Sequence, residues 1–529
     1  MHWLSKALWS YMHPQKLMCR GLRKNPNRSS LDHGIDSSAS AMRVTIPALQ
    51  TPLTEEDLVL LALDKSLEVK DVKPKPKKKK NVPLKKLIQP EVNPPLTEPI
   101  TAETQYERLA QVVTPLYQAS YTTQLKMKTT KALEVLKTLS RRMTENRCLF
   151  EKDKKGLACH LEPVRPSPDI LAYRNKDEFG IHYGVDGNPK TVGFFVGKPT
   201  DPLMTCVPAT HLINVKESHK LIAQRFQTFI RQSTHEACLK FDLGGIWRNL
   251  LVRSTRSDER MATVYIHPQD LIEDEILEIM SDLEAFFFHG EGSDCQLDSL
   301  YLQACKNTRC SREQAPYRLI KGKEHILETL EGLSFSISPD SFFQINTGGA
   351  EELYRVVREV AEVSSLTTLL DVCCGTGAIS IVMSPFVRGS VGIDVISAAV
   401  EDANKNAFAN KISNTEFIAG KAEMVLPQLT EELSQCTDVV AIMNPARAGL
   451  KPEVIQAIKQ CEAITKLMYI TCKPEGMAME NFMQLASNKV KGSSKKKTVP
   501  FIPKYAVPID MFPHTHHTEL VVLFERAFL

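Results

Sequence analysis

A chain of 529 residues is too long for one ordinary core, so two folded domains plus unfolded sequence are expected. The 43% hydrophobic fraction is that of a globular protein, and no apolar run approaches the roughly 20 residues that span a bilayer, so no membrane partner is expected. The 66 basic and 62 acidic residues nearly cancel, so any argument for a polyanionic partner must come from where the charges lie.

The first acid, Asp32, is preceded by Lys6, Lys16, Arg20, Arg23, Lys24 and Arg28, while Trp3, Leu4, Ala7, Leu8 and Tyr11 fall at helical spacing. A basic amphipathic helix followed by acid-free sequence reads as a mitochondrial transit peptide over 1–31, which places the protein in the matrix. Residues 32–104 read as a disordered Lys/Pro-rich linker with one short helix near Glu55–Leu67. Its run from Lys73 to Lys80 reads as a solvated spacer or an arm for phosphates, in preference to a nuclear localisation signal, which conflicts with a transit peptide.

From Thr104 the pattern changes, and Leu116 to Arg142 reads as one or two basic amphipathic helices. Short alternating strands such as Val192–Val196 and Thr263–Ile266, with helices at Glu217–Gln232 and Leu271–Phe287, make 105–350 a helical segment plus an α+β module. From Glu351 the pattern alternates: helix Glu351–Val363, strand Thr368–Val372, helix near Ile379–Pro385, strand Ser390–Ile393, helix Ala398–Ala409 and strand Thr415–Ala419. Apolar strands follow at Asp438–Met443, Lys466–Thr471 and Leu520–Phe524. That alternation predicts an α/β, Rossmann-like doubly wound sheet over 351–529.

The strand at Thr367–Val372 runs into Cys373-Cys-Gly-Thr-Gly377 and a helix, the context in which a glycine turn brings backbone close to a ligand. Acids end this strand (Asp371) and the next (Asp394), and a carboxylate at the second place suits ribose hydroxyls. A nucleoside cofactor is implied; the turn is not GxGxxG, and S-adenosyl-L-methionine and NAD both remain open on it alone. Thirteen cysteines without a secretory signal suggest a reducing compartment and buried thiols, with no disulfide framework. Neither Cys373 with Cys374 nor Cys305 with Cys310 has a zinc or iron–sulfur spacing, so no metal is expected.

Three further segments couple an apolar strand to polar groups at one end: Asp438 to Gly449, Leu467 to Pro474, and Phe512 to Glu519. With Phe342-Phe-Gln-Ile-Asn-Thr347 and the Cys373–Gly377 turn, their content and order resemble the tRNA/rRNA uracil-5-methyltransferase family over roughly 105–529. The resemblance implies S-adenosyl-L-methionine as cofactor, lined by Gln344, Cys373, Gly375, Gly377, Asp394 and Asn444, with Cys472 as nucleophile and Glu519 as base. It implies tRNA, at the T-loop uridine, and/or small-subunit rRNA as partners; the chain is expected to act as a monomer. Two departures stand out: Asn444 replaces the family's acid, with Ala446 for its second proline, and Lys473 replaces the Asn after the cysteine.

A cysteine at this place has an independent chemical reason, because carbon 5 of uracil is a poor nucleophile until a thiolate adds to carbon 6. A base must then remove the carbon 5 hydrogen, and Glu519 has the right type. Free thiols titrate near about 8.5, so Cys472 needs help from positive charge, and Lys473 is the adjacent candidate. His514, His516 and His517 read as lining or RNA-facing residues. Aromatic and basic groups interleave in Tyr173-Arg-Asn-Lys176 and from Trp247 to Arg256, a pattern suited to stacked bases and phosphates, against amphipathic strands with charged outer faces. Asn444-Pro445 also keeps open an N-methyltransferase of exocyclic base amines, and the lost acid a non-catalytic RNA-folding factor.

Overall fold

The structure, a computed structural model, describes residues 98–490 and 493–527; the segment read as a transit peptide and residues 32–97 of the linker lie outside the described residues. Helix α1 (Gln105–Val113) is followed by α2 (Tyr121–Glu145). Ser120 caps α2, its hydroxyl accepting the Thr123 amide at 3.3 Å, and Gln124, Lys128, Ala132, Val135, Leu136, Leu139 and Met143 form its buried stripe. A two-residue strand β1 (His160–Leu161) ends this segment.

The middle of the chain forms a seven-stranded sheet. Its elements are β2 (Lys176–His182), β3 (Thr191–Val196), β4 (Thr205–Val207), α3 (Glu217–Gln232), β5 (Trp247–Ser254), β6 (Arg260–Ile266), α4 (Glu273–Glu284), β7 (Ser299–Ala304) and β8 (Arg318–Gly322). The order is β4-β3-β2-β5-β6-β7-β8, antiparallel except for β6 beside β7, which are joined across α4. Phe179, Leu250, Val252, Val264 and Leu302 on one face meet Ile222 and Phe226 of α3 and Ile276 and Ile279 of α4. The helix expected to reach Phe287 ends at Glu284 and continues as a π turn, Ala285–His289, that turns Phe286 and Phe287 onto this core.

Two expectations fail in this module. Trp247 is 1% exposed and packs edge-on against Phe226 and Phe229, and Tyr173 is buried, so neither ring is a stacking surface. Cys305 and Cys310 are joined by a disulfide, although the composition argued against such bonds; the other described cysteines are free thiols.

The hairpin β9 (Ile326–Leu330) and β10 (Leu333–Ile337) leads into α5 (Thr347–Ala361), β11 (Thr367–Val372), α6 (Ala378–Met383), β12 (Gly389–Asp394), α7 (Ser397–Ala409), β13 (Thr415–Ala419) and α8 (Ala422–Ser434). Then come β14 (Asp438–Met443), α9 (Pro452–Gln460), β15 (Ile464–Thr471), α10 (Met477–Ala486), the short hairpin β16 (Lys489–Val490) and β17 (Ser493–Lys497), β18 (Phe501–Ile509) and β19 (Glu519–Arg526). The sheet order β1-β18-β19-β15-β14-β11-β12-β13 is that of a doubly wound α/β fold whose last long strand, β19, is antiparallel to both neighbours. Every position of β11 is buried, because helices cover both faces of a parallel sheet. One face carries Leu136 and Leu139 of α2 with Leu426, Ile458 and Phe482; the other carries Leu353 and Val357 of α5 with Ile381 and Ala403. Thus α2 and β1 belong structurally to this sheet. Helix α5 starts before Glu351 because the Asn346 side chain accepts the Gly349 amide at 2.9 Å.

Candidate active site

Strand order reverses between β11 and β14, so a crevice opens at their carboxyl ends, where open α/β sheets hold ligands. The Cys373–Gly377 turn is folded onto the neighbouring strand: the Cys373 and Cys374 amides donate to Ile393 O at 2.8 and 3.1 Å, and the Gly375 amide donates to Asp394 Oδ2 at 2.9 Å. Cys373, Gly375 and Gly377 all have positive φ. A Cβ on Gly377 would come within 2.7 Å of the Phe417 ring, whereas one on Gly375 would meet nothing within 4 Å, so Gly375 faces open space.

Asp394 also accepts the Ile396 amide at 2.9 Å, which fixes its carboxylate at the tip of β12. Burial pushes the Asp371 carboxyl up to about 7 against the Ser380 hydrogen bond, and its Oδ1 has no partner among the described residues. An open backbone approach, a fixed carboxylate and an unsatisfied acceptor fit a nucleoside that also carries a donor group. The Thr376 hydroxyl reaches Phe342 O at 3.3 Å, which lays the Phe342–Thr347 segment, with Gln344, across the turn. The Asn444 amide donates to Val372 O at 3.4 Å between the ends of β11 and β14.

Cys472 is half-buried just past β15, and Glu519, 4% exposed, is the first residue of β19 rather than lying before it. Burial and the Glu519 charge raise the Cys472 thiol above its ordinary range, and Arg447 opposes them. Burial pushes Glu519 up to about 8, again opposed by Arg447. The cation acting on the thiol is therefore Arg447, from the exposed loop after β14, and not the adjacent Lys473. Sequence reasoning missed it because Arg447 lies far from Cys472 in the chain and becomes its neighbour only when β14 and β15 pair in parallel. Cys373 is driven up to about 12 by burial and then by the charges of Asp394 and Asp371, which removes it as a rival nucleophile.

The loop that delivers Glu519 is held by α2. Lys128 is buried in an ion pair with Asp510 and donates to Phe512 O at 3.0 Å; Gln124 accepts the His514 amide at 2.8 Å and contacts His514 Nδ1 at 3.0 Å. Tyr173 donates to Pro513 O at 3.1 Å. His514 is buried with φ +67°, so it is part of this scaffold and does not face RNA. No cluster of three metal-ligating side chains occurs among the described residues.

The family model described as tRNA (Uracil-5-)-methyltransferase matches residues 318–527, the stretch that carries all of these motifs. The mouse tRNA (uracil-5-)-methyltransferase homolog B is 44% identical over 426 residues, covering 79% of this chain and 86% of the relative. The chain belongs to the tRNA (uracil-5-)-methyltransferase family. Within that family, human homolog B is 44% identical over 79% of this chain and 84% of its own length, and human homolog A is 38% identical over 80% and 69%. The fold is that of the Pyrococcus abyssi tRNA (uracil-54, C5)-methyltransferase solved with S-adenosyl-L-homocysteine, at 22% identity and a TM-score of 0.54 over 77% of this chain and 84% of that one. Family membership makes the protein a methyltransferase and tRNA its substrate class.

Proposed function

We propose that this protein methylates carbon 5 of a tRNA uridine, at the T-loop, with S-adenosyl-L-methionine as methyl donor and Cys472 as covalent nucleophile. The observation that carries the reading is the pairing of a thiol and a carboxyl at the ends of β15 and β19, both acted on by Arg447. Asp394, the Cys373–Gly377 turn, Gln344 and Asn444 would hold the cofactor, which when bound supplies a methyl group on a sulfonium.

Cys472 Sγ, deprotonated, bonds to carbon 6 of the uracil, and the displaced π electrons form an enolate. Carbon 5 then takes the methyl group. The Glu519 carboxylate removes the hydrogen from carbon 5, the 5,6 double bond re-forms, and the Cys472 thiolate leaves. A carboxyl that titrates near 8 is suited to this task, since a general base works best when its pKa lies near the operating pH. N-methylation of an exocyclic amine needs no such thiol, so the Cys472–Glu519 pair disfavours that alternative.

Basic, acid-free residues 1–31 support a mitochondrial destination, and small-subunit rRNA is a second substrate in this reading. Mass spectrometry of nucleosides from unmodified mitochondrial tRNA and rRNA incubated with the protein and methyl donor tests the chemistry. 5-Methyluridine is expected; methylated adenine, or no product, overturns it. Deleting residues 1–31 should abolish mitochondrial import, and a truncated protein still found in mitochondria refutes the destination.

A further inference from the structure

One face of the seven-stranded sheet looks toward the catalytic sheet: at one end of it Met261 and Tyr301 join the core that contains α5. In the same row across the strands, next to Met261, two cations, Lys176 on β2 and Arg253 on β5, are direct register partners. Arg253 is 3% exposed and Lys176 is half-buried. Like charges set opposite one another in a sheet repel, and a buried cation without a counter-charge is costly. Neither has an ion pair among the described residues. Arg253 donates to Ser341 O while its Nε finds no partner among them, and the adjacent carboxylates are engaged elsewhere: Glu178 accepts from Asn249 at 2.7 Å and Asp340 from Arg312 at 2.5 Å.

The surroundings add to the imbalance. Burial, then Arg253, holds the Lys176 ammonium down to about 8, with Glu178 opposing and Arg309 reinforcing them, and burial brings Arg253 to about 10 against Tyr265 and Asp340. Tyr265 and Tyr317, half-buried, stand edge-on to one another at 6.3 Å, and Phe342, 64% exposed, follows Ser341. Asn175, one residue before Lys176, donates to Gln344 O at 2.8 Å, so this patch is fastened to the segment that crosses the cofactor turn. Two facing cations that make no ion pair among the described residues leave room for an anionic ligand, and exposed and edge-on aromatics alongside suit unstacked bases.

We propose that Lys176 and Arg253 form a seat for a backbone phosphate of the RNA substrate close to the target nucleotide, with Phe342 beneath a flanking base. This rests on the RNA reading above. Lys176 is the contacting group, and Arg253, fixed beneath it by Ser341, supplies the field.

Lys176→Met in the full chain is the test. Binding of an unmodified tRNA transcript should weaken about tenfold, and the slope of log affinity against log salt should become shallower by about 1. KM for RNA should rise with kcat at saturating RNA retained, Lys176→Arg should restore both, and the melting temperature should hold or rise because a charge repelling Arg253 has gone. Unchanged KM and salt slope overturn the proposal. So does a lower melting temperature with lost kcat, which marks a structural cation. Wild-type protein is challenged in parallel with 5-fluorouridine-substituted tRNA: absence of a covalent adduct there defeats the methylation chemistry, while the salt slope still judges the phosphate seat.

Discussion

Thr471 and Leu520 are the last register partners of β15 and β19, so Cys472 and Glu519, one step further on each strand, stand level with one another at the mouth of the sheet. Antiparallel pairing thus does what sequence distance conceals: it sets a thiol and a carboxyl side by side at the ends of neighbouring strands. The Glu519 charge raises the thiol's cost of ionisation, and Arg447 favours the ionised form of both groups.

The raised carboxyl makes stability depend on pH. A buried acid whose folded pKa is about 8 stays protonated while its unfolded counterpart ionises near 4.5, so the unfolded state binds fewer protons between those values and stability falls as pH rises through that window. Glu519→Gln removes this dependence. The variant should match wild type near pH 4 and melt increasingly higher than wild type from about pH 5 to 8. Parallel melting curves across that range would show that Glu519 ionises freely in the fold.

Arg447 should act on the thiol's reactivity more than on binding. Arg447→Ala takes away the cation that favours the thiolate, so alkylation of Cys472 by iodoacetamide should need a higher pH and should run slower at pH 7. Arg447→Lys should retain part of the effect. An alkylation profile that does not move in Arg447→Ala assigns the activation to another group.

The ion pair of Lys128 with Asp510 is expected to be a scaffold for the base. Lys128→Ala leaves Asp510 buried and unpaired, which should destabilise the protein by about 3–5 kcal/mol. Replacing both by apolar residues, Lys128→Met with Asp510→Leu, should recover much of that stability without recovering kcat, because the hydrogen bond to Phe512 O that shapes the Glu519 loop is still missing. Full kcat in the double variant would show that the loop is held by Gln124 and Tyr173 alone.

Asp394→Asn should weaken S-adenosyl-L-methionine binding by about 1.5–3 kcal/mol while leaving RNA affinity nearly unchanged, since a charge-assisted bond to the ribose is lost. The amide can still accept from Gly375, so the turn itself should survive. Equal calorimetric affinities for the two proteins would remove Asp394 from the cofactor site.

What the sequence disclosed follows from the range of the physics. The strands Thr415–Ala419 and Asp438–Met443 and the helix Glu217–Gln232 were legible because periodicity is local, and the Cys373–Gly377 turn because its backbone needs are local too. Cys472 and Glu519 were singled out through motif order, and the fold brings them to the ends of adjacent strands. Hidden were relations made only by folding: Arg447 reaching Cys472 across paired strands, α2 gripping the loop at Asp510–His514, and Trp247 turned inward while Arg248 and Asn249 beside it stay partly exposed. Lys128 and Gln124 left one trace, a long polar pair four residues apart within the mostly apolar stripe of α2.

The two catalytic assignments make opposite demands on one covalent cycle, and their variants should fail at different points. With no thiolate to add to carbon 6, Cys472→Ala should give neither 5-methyluridine nor a denaturant-resistant protein–RNA adduct, although RNA and methyl donor still bind. Glu519→Gln should allow addition and methyl transfer but stall the removal of the carbon 5 hydrogen, so methylated RNA stays attached to Cys472 and runs as a slow band on a denaturing gel. A 5-fluorouridine substrate should hold the wild-type enzyme at that same stage, because a base cannot take fluorine as a cation. Burial raises the Cys373 and Cys374 thiols far above the ordinary thiol range, which disfavours both as substitutes for Cys472. If Cys472→Ala still traps the fluorinated RNA, the attacking thiol lies elsewhere in the chain and the pairing of β15 with β19 has no catalytic meaning.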